Sequence, residues 1–325
     1  MLTYYLLRIG LVLAAVLPRR TGYWLCSVIG NIAFYCNHSA RHAVQDNMRH
    51  VLGPRVSRRR LNRVSRAVFR NTVKNNYDLL ILPRLSMADL EKQVRLDGAE
   101  YLEKAMQGKN GVILFTGHIG NFNLVVQMTA ARGYPANIIA EAITPPKLYD
   151  LVNGLRSRFG LKMIPLGPTA VRGIYHALRA NELLGLAADR DLTETGVPVE
   201  FFGETTELPG GVAALALRLH TPLLPVHTIR TANDSSVVTV YPPLELPRTG
   251  DRDRDALVGT QQIAHILEDM IRKAPEQWVV LQPVWPKKTK EAQRPAEPPL
   301  LPTVVDARVP PTPDLAEPPS RSRSA

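Results

Sequence analysis

Val112-Ile113-Leu114-Phe115-Thr116-Gly117-His118-Ile119-Gly120-Asn121-Phe122-Asn123-Leu124-Val125-Val126-Gln127-Met128 is the stretch on which the reading turns. Val112–Thr116 is a short apolar run of the kind a buried β-strand shows, and Leu124–Met128 reads as the apolar side of a helix. His118 therefore sits where a strand ends and a helix starts, the edge of an open α/β sheet at which ligands bind. Gly117 and Gly120 allow a tight turn and close approach of a ligand. The first N–H groups of the following helix favour a developing negative charge. A single histidine is often structural; one between two glycines at such a turn is a candidate catalytic residue.

Working outward, strand and helix signals alternate from about residue 96 to 285. The predicted strands are Val112–Thr116, Asn137–Ala140, Lys162–Pro165, Leu183–Ala187, Val199–Phe202, Leu223–Ile229, Val237–Tyr241 and Val279–Gln282. Helical stretches separate many of them, which predicts an α/β fold with a mixed central sheet flanked by helices. Residues 57–82 carry Leu61, Val64, Val68, Leu79 and Leu80 at helical spacing, with arginines on the opposite side. After Trp285 the composition turns to Pro, Ser, Lys and Arg, too poor in apolar residues to build a core. The predicted organisation is an anchoring segment over 1–40, an α/β domain over 41–285 and a disordered Pro-rich tail over 286–325.

The chain has 325 residues and a net charge of +11, and the charge is unevenly placed. Residues 1–75 hold thirteen Arg and Lys against Asp46 alone. The same region carries two apolar runs, Tyr4–Leu17 and Tyr23–Cys36. Nucleic-acid binding would account for the charge but not for apolar helices beside it, whereas an anionic membrane surface accounts for both. Arg8 interrupts the first run and Pro18-Arg19-Arg20 ends it, short of the ~20 apolar residues of a span. Arg19 and Arg20 also stand where a signal peptide would need small residues. The expectation is a monotopic anchor on the cytoplasmic side of the cell membrane; two buried core helices are the plainer alternative. Cys26 and Cys36, the two cysteines, have no ligand spacing and read as reduced thiols. The eight histidines include no metal-binding spacing, and there is no GxGxxG or Walker loop, so neither metal nor bound cofactor is expected.

Three further segments belong with His118: Ala188-Asp189-Arg190-Asp191 after the apolar run Leu183–Ala187, Val199-Glu200-Phe201-Phe202-Gly203, and Pro209-Gly210-Gly211-Val212-Ala213. With Asn47-Met48, Asn75-Asn76, Pro222–Pro225 and Gln277-Trp278, the ordered set resembles the lysophospholipid-acyltransferase superfamily. The likeness is to its bacterial branch that acylates lipid A and phosphatidylinositol mannosides, and it covers roughly residues 1–285. The stretch from Ala187 to Val197 is most similar to the phosphatidylinositol mannoside acyltransferases. The resemblance implies transfer of a fatty acyl group from a thioester, acyl-CoA or acyl carrier protein as substrate, to a hydroxyl of a membrane lipid. It implies His118 as general base and no acyl-enzyme. Substrate contacts are implied for Gly120, Asn121 and Phe122 at the turn, for Arg156 near the donor, and for Glu141, Arg190 and Asp191.

One position departs from the pattern. The family motif ends in Asp or Glu five residues after the histidine, and here that residue is Asn123. An amide cannot stabilise an imidazolium as a carboxylate does; in a serine-protease triad the equivalent change costs about 10⁴ in rate. Two readings follow. Either another carboxylate serves, with Asp189 the first candidate and Glu141 the second, or the chain is a catalytically impaired, membrane-bound lipid-binding relative.

Overall fold

The computed structural model describes residues 2–140, 145–167, 170–191 and 196–285. Four helices lead: α1 (Leu2–Val16), α2 (Arg19–Cys36), α3 (His38–Leu52) and α4 (Arg58–Ile81). Asn37 caps α3 by accepting from the Ala40 N–H at 3.0 Å, and Ser57 caps α4 by accepting from the Arg60 N–H. α2 lies along α4, with Tyr23 packed edge-on against Tyr77 and Phe34 against Phe69. On α4, Leu61, Val68 and Leu79 are buried and Arg59, Arg60 and Arg63 face outward, as the spacing predicted. Cys26 is buried, Cys36 is exposed, and both are free thiols.

Then come α5 (Met87–Gln93), β1 (Val94–Asp97), α6 (Ala99–Met106), β2 (Val112–Thr116), α7 (Phe122–Ala131), β3 (Ala136–Ala140), α8 (Pro146–Arg156), β4 (Lys162–Pro165), α9 (Ala170–Arg179), β5 (Leu183–Ala187), β6 (Val197–Phe201), β7 (Glu204–Leu208), α10 (Gly211–Leu219), β8 (Leu223–Arg230), β9 (Ser236–Val240) and α11 (Arg252–Lys273). Seven strands form one sheet in the order β1-β9-β8-β2-β5-β3-β4. The five strands from β8 to β4 are mutually parallel; β9 runs antiparallel to β8, and β1 runs parallel to β9. This is the mixed sheet that the sequence predicts. β2 is almost wholly apolar, and β8 opens on the apolar run Leu223–Val226, because both faces of these central strands are covered by helices.

β6 and β7 form a separate hairpin whose two-residue turn, Phe202-Gly203, has positive φ at both positions, the geometry that matches strand twist. The predicted strand over Val279–Gln282 is not one. That segment is held to the turn after β2 by a single bridge, Ile119 to Trp278, and by the Val279 N–H donating to the His118 carbonyl at 2.9 Å. Its apolar residues are buried as plugs, Trp278 and Val280, between Pro275 and Pro283, and not as a ladder.

The N-terminal runs are helical as expected, and no helix among the described residues is long and apolar enough to cross a membrane. Glu141 and the tail from residue 286 lie outside the described residues.

Candidate active site

The sheet register builds the centre of the site. β2 pairs with β5 so that Thr116 stands opposite Ala187. Two residues beyond each partner are His118 and Asp189, which the register therefore brings side by side. The Asp189 Oδ1 accepts from the His118 Nδ1–H at 2.8 Å. Its Oδ2 accepts twice more, from the His118 backbone N–H at 2.7 Å and from the Trp278 indole N–H at 2.8 Å. Gly117 is what lets the carboxylate this close, since a Cβ there would stand 3.1 Å from Oδ2.

Asp189 is fully buried, whereas the His118 side chain is 28% exposed. With Nδ1–H held by the carboxylate, Nε2 is the free acceptor on the imidazole, and it has no hydrogen-bond partner among the described residues. Burial alone would raise the Asp189 carboxyl. The charge of protonated His118 and the three donated hydrogen bonds outweigh it and hold the group below the usual carboxylate range.

A carboxyl depressed in the folded state stabilises the fold above the unfolded value, about 3.9, and that contribution is lost as pH falls through the lower folded value. Asp189→Asn carries no such group. The gap in urea midpoint between wild type and Asp189→Asn is therefore open at pH 5 and narrows below about pH 4. A gap that widened on acidification would mean that the carboxyl is raised.

Beside His118 opens a cavity of about 610 Å³ whose wall is mostly aliphatic, with Leu114, Val126, Leu161, Ile174 and Leu215 among the residues that line it. Phe122 stands at its edge, its ring at 84° to the imidazole and 5.4 Å from it. Asn123 also lines the cavity; its side chain makes no hydrogen bond to His118 among the described residues. Arg156, Arg190 and Asp191 line it too, and Asp191 accepts from the Gly196 N–H at 2.8 Å. Burial lowers the pKa of the Arg156 guanidinium, whose Nε has no hydrogen-bond partner.

Two residues expected to touch substrate are placed elsewhere. Asn121 is fully buried: its side chain caps α7 by accepting from the Leu124 N–H and donates inward to Asp78 at 2.8 Å. Gly120 faces β8, where a Cβ would fall 2.3 Å from the Thr228 carbonyl oxygen. Its φ of +60° is also one that side chains rarely adopt. Gly120→Ala is expected to destabilise by about 3 kcal/mol from overpacking and left-handed strain together. Calorimetry should show the melting temperature roughly 6–10 °C lower.

Trp278 and the buried cluster of Asn75, Asp78 and Arg230 were not assigned roles from sequence. An acid in the apolar end of a strongly basic helix, Asp78 between Tyr77 and Leu79, was the signal available.

The profile of the bacterial lipid A biosynthesis acyltransferase family matches residues 1–287 of this chain. The chain belongs to that family. It is an acyltransferase of the kind that transfers groups other than aminoacyl groups. Among its relatives is a phosphatidylinositol mannoside acyltransferase of Mycobacterium tuberculosis, 31% identical over 220 residues, which are 66% of this chain and 67% of that protein. One of the same description from Mycolicibacterium smegmatis is 32% identical over 209 residues, 63% of this chain and 66% of the relative.

Proposed function

We propose that this acyltransferase moves a fatty acyl chain from a thioester donor, acyl-CoA or acyl carrier protein, to a hydroxyl of a membrane glycolipid of the phosphatidylinositol mannoside type. The observation that carries the reading is the His118–Asp189 pair set against an aliphatic cavity of lipid-chain character. Nε2 of His118 takes the proton from the acceptor hydroxyl. The oxygen attacks the thioester carbonyl, a C–O bond forms, the C–S bond breaks, and the departing thiolate takes the proton back from the imidazolium. Asp189 holds the ring and offsets its transient charge. Arg156 and the N–H groups of Phe122 and Asn123 at the start of α7 meet the negative charge that develops on the carbonyl oxygen.

The substrates reach the site from a lipid surface. On α1, Ile9, Val12, Leu13 and Val16 are exposed at i, i+3, i+4 and i+7, Val16 at 76%. On α2, Trp24, Ile29, Ile32 and Tyr35 are exposed, Trp24 at 63%. Exposed large apolar side chains on two successive helices mark an interaction surface. With the basic residues of the same region, they support a monotopic seat on anionic lipid at the cytoplasmic side of the cell membrane.

The test uses purified protein, labelled palmitoyl-CoA or palmitoyl acyl carrier protein, and vesicles carrying phosphatidylinositol mannoside or a lysophospholipid. Labelled mannoside is the expected product. Label released only as free palmitate would make the protein a thioesterase, and no turnover with either donor would overturn the reading. The impaired-relative reading is tested beside it. With Asp189 against the imidazole, Asn123→Asp is expected to leave kcat within about tenfold, under ~1.4 kcal/mol; a rise of several hundredfold would favour that second reading.

A further inference from the structure

The turn that carries His118 is held from behind by a buried polar cluster that never reaches the cavity. Asp78 on α4 and Arg230 at the end of β8 form an ion pair, and Arg230 also donates to the Asn75 Oδ1 at 2.7 Å. Asn75 donates to the Gly120 carbonyl at 2.6 Å, and Asp78 accepts the Asn121 amide at 2.8 Å and the Tyr23 hydroxyl. From the other side, Gln277 bonds the Arg230 backbone twice, at 2.7 and 2.9 Å, and its carbonyl accepts the Gly120 N–H at 3.0 Å. The Gly120 carbonyl, the Gly120 N–H and the Asn121 side chain are thus all tied to one cluster. Asn75, Asp78, Asn121, Arg230 and Gln277 are each at most 7% exposed.

Stability is a poor account of this arrangement. A buried ion pair is generally no better than apolar residues of the same size. Here Arg230 leaves Nε and one terminal nitrogen without a hydrogen bond, the latter 3.7 Å from Asp234. What the cluster does fix is the backbone immediately after His118, where a displacement of about 1 Å costs about 10² in rate.

We propose that Asp78, Arg230 and Asn75, acting through Gly120 and Asn121, are positioning residues that hold His118 in its reactive place. The proposal rests on the acyl-transfer reading, and its test includes a readout that does not. Asn121→Ser keeps a side-chain oxygen to cap α7 but loses the amide that reaches Asp78. The double variant Asp78→Leu with Arg230→Met removes both buried charges together, which avoids the larger cost of leaving one of them unpaired.

For both, kcat is expected to fall about 10- to 100-fold with KM within about threefold, while melting temperature does not track the loss. The NMR resonance of the His118 ring, assigned with His118→Ala, is expected to shift in both variants, a result that needs no turnover. If Asn121→Ser keeps kcat within about twofold and the His118 resonance unmoved, the positioning role is wrong. The same holds if the double variant folds and recovers activity in step with its stability. Should the double variant fail to fold, Asn121→Ser decides alone. If wild type transfers no acyl group while both variants still shift the His118 resonance, the acyl-transfer reading is at fault and the clamp stands.

Discussion

His118→Ala is expected to lower kcat for acyl transfer by about 10²–10⁴-fold while the protein stays folded. The ring is partly exposed beside the cavity, so little core is lost with it. Asp189 keeps two donors after the change, the backbone N–H of residue 118 and the Trp278 indole, so no carboxylate is left buried without partners.

Asp189→Asn is expected to be as damaging to kcat for a different reason. The carboxylate accepts three N–H groups, and an amide has only one oxygen. Turned to satisfy the two donors on Oδ2, it presents its NH₂ to Nδ1. The imidazole must then carry its proton on Nε2, the atom that should accept one, and a histidine held in the wrong tautomer is the condition that costs about 10⁴ in a serine-protease triad. Kinetics on both variants with calorimetry alongside would decide: a kcat loss under tenfold in either, with the fold intact, removes that residue from the reaction.

The second large effect concerns the lipid surface. Val12→Glu with Ile32→Glu places one charge on each exposed stripe, at positions 65% and 56% exposed. Burying such a side chain in an apolar medium contributes ~1.5–3 kcal/mol, so losing two lowers partitioning onto vesicles by about 10²–10⁴-fold. Co-sedimentation with phosphatidylglycerol–phosphatidylcholine vesicles measures it. Residual binding through the arginines should fade as salt is raised. Unchanged partitioning of the double variant would assign these stripes to some other partner.

Strands with both faces covered read clearly from sequence, and so does the edge strand β4, none of whose residues is buried. β2, β5 and the first half of β8 are continuous apolar runs because helices pack on either side of them. β1 does not read from sequence because Val-Arg-Leu-Asp is a short edge strand with only Val94 buried, and β7 does not because Glu-Thr-Thr-Glu-Leu belongs to a hairpin that alternates with water. His118 announced itself through its glycines. Asp189 is the first candidate for its partner from its place after an apolar run and from the resemblance, but the pairing itself is not legible: β3 and β4 intervene in sequence between β2 and β5, and neither strand order nor register is written in local spacing. The resemblance implies a substrate contact for Asn121, yet an N-cap residue turns its side chain back onto its own helix.

The His118–Asp189 contact joins residues 71 apart, and β5 must dock beside β2 before it exists. Chemical competence is therefore a property of late assembly. β5 also supplies part of the cavity wall, so the pair and the wall beside it both depend on that strand being in place. Contacts of such long sequence separation are the slow ones to close.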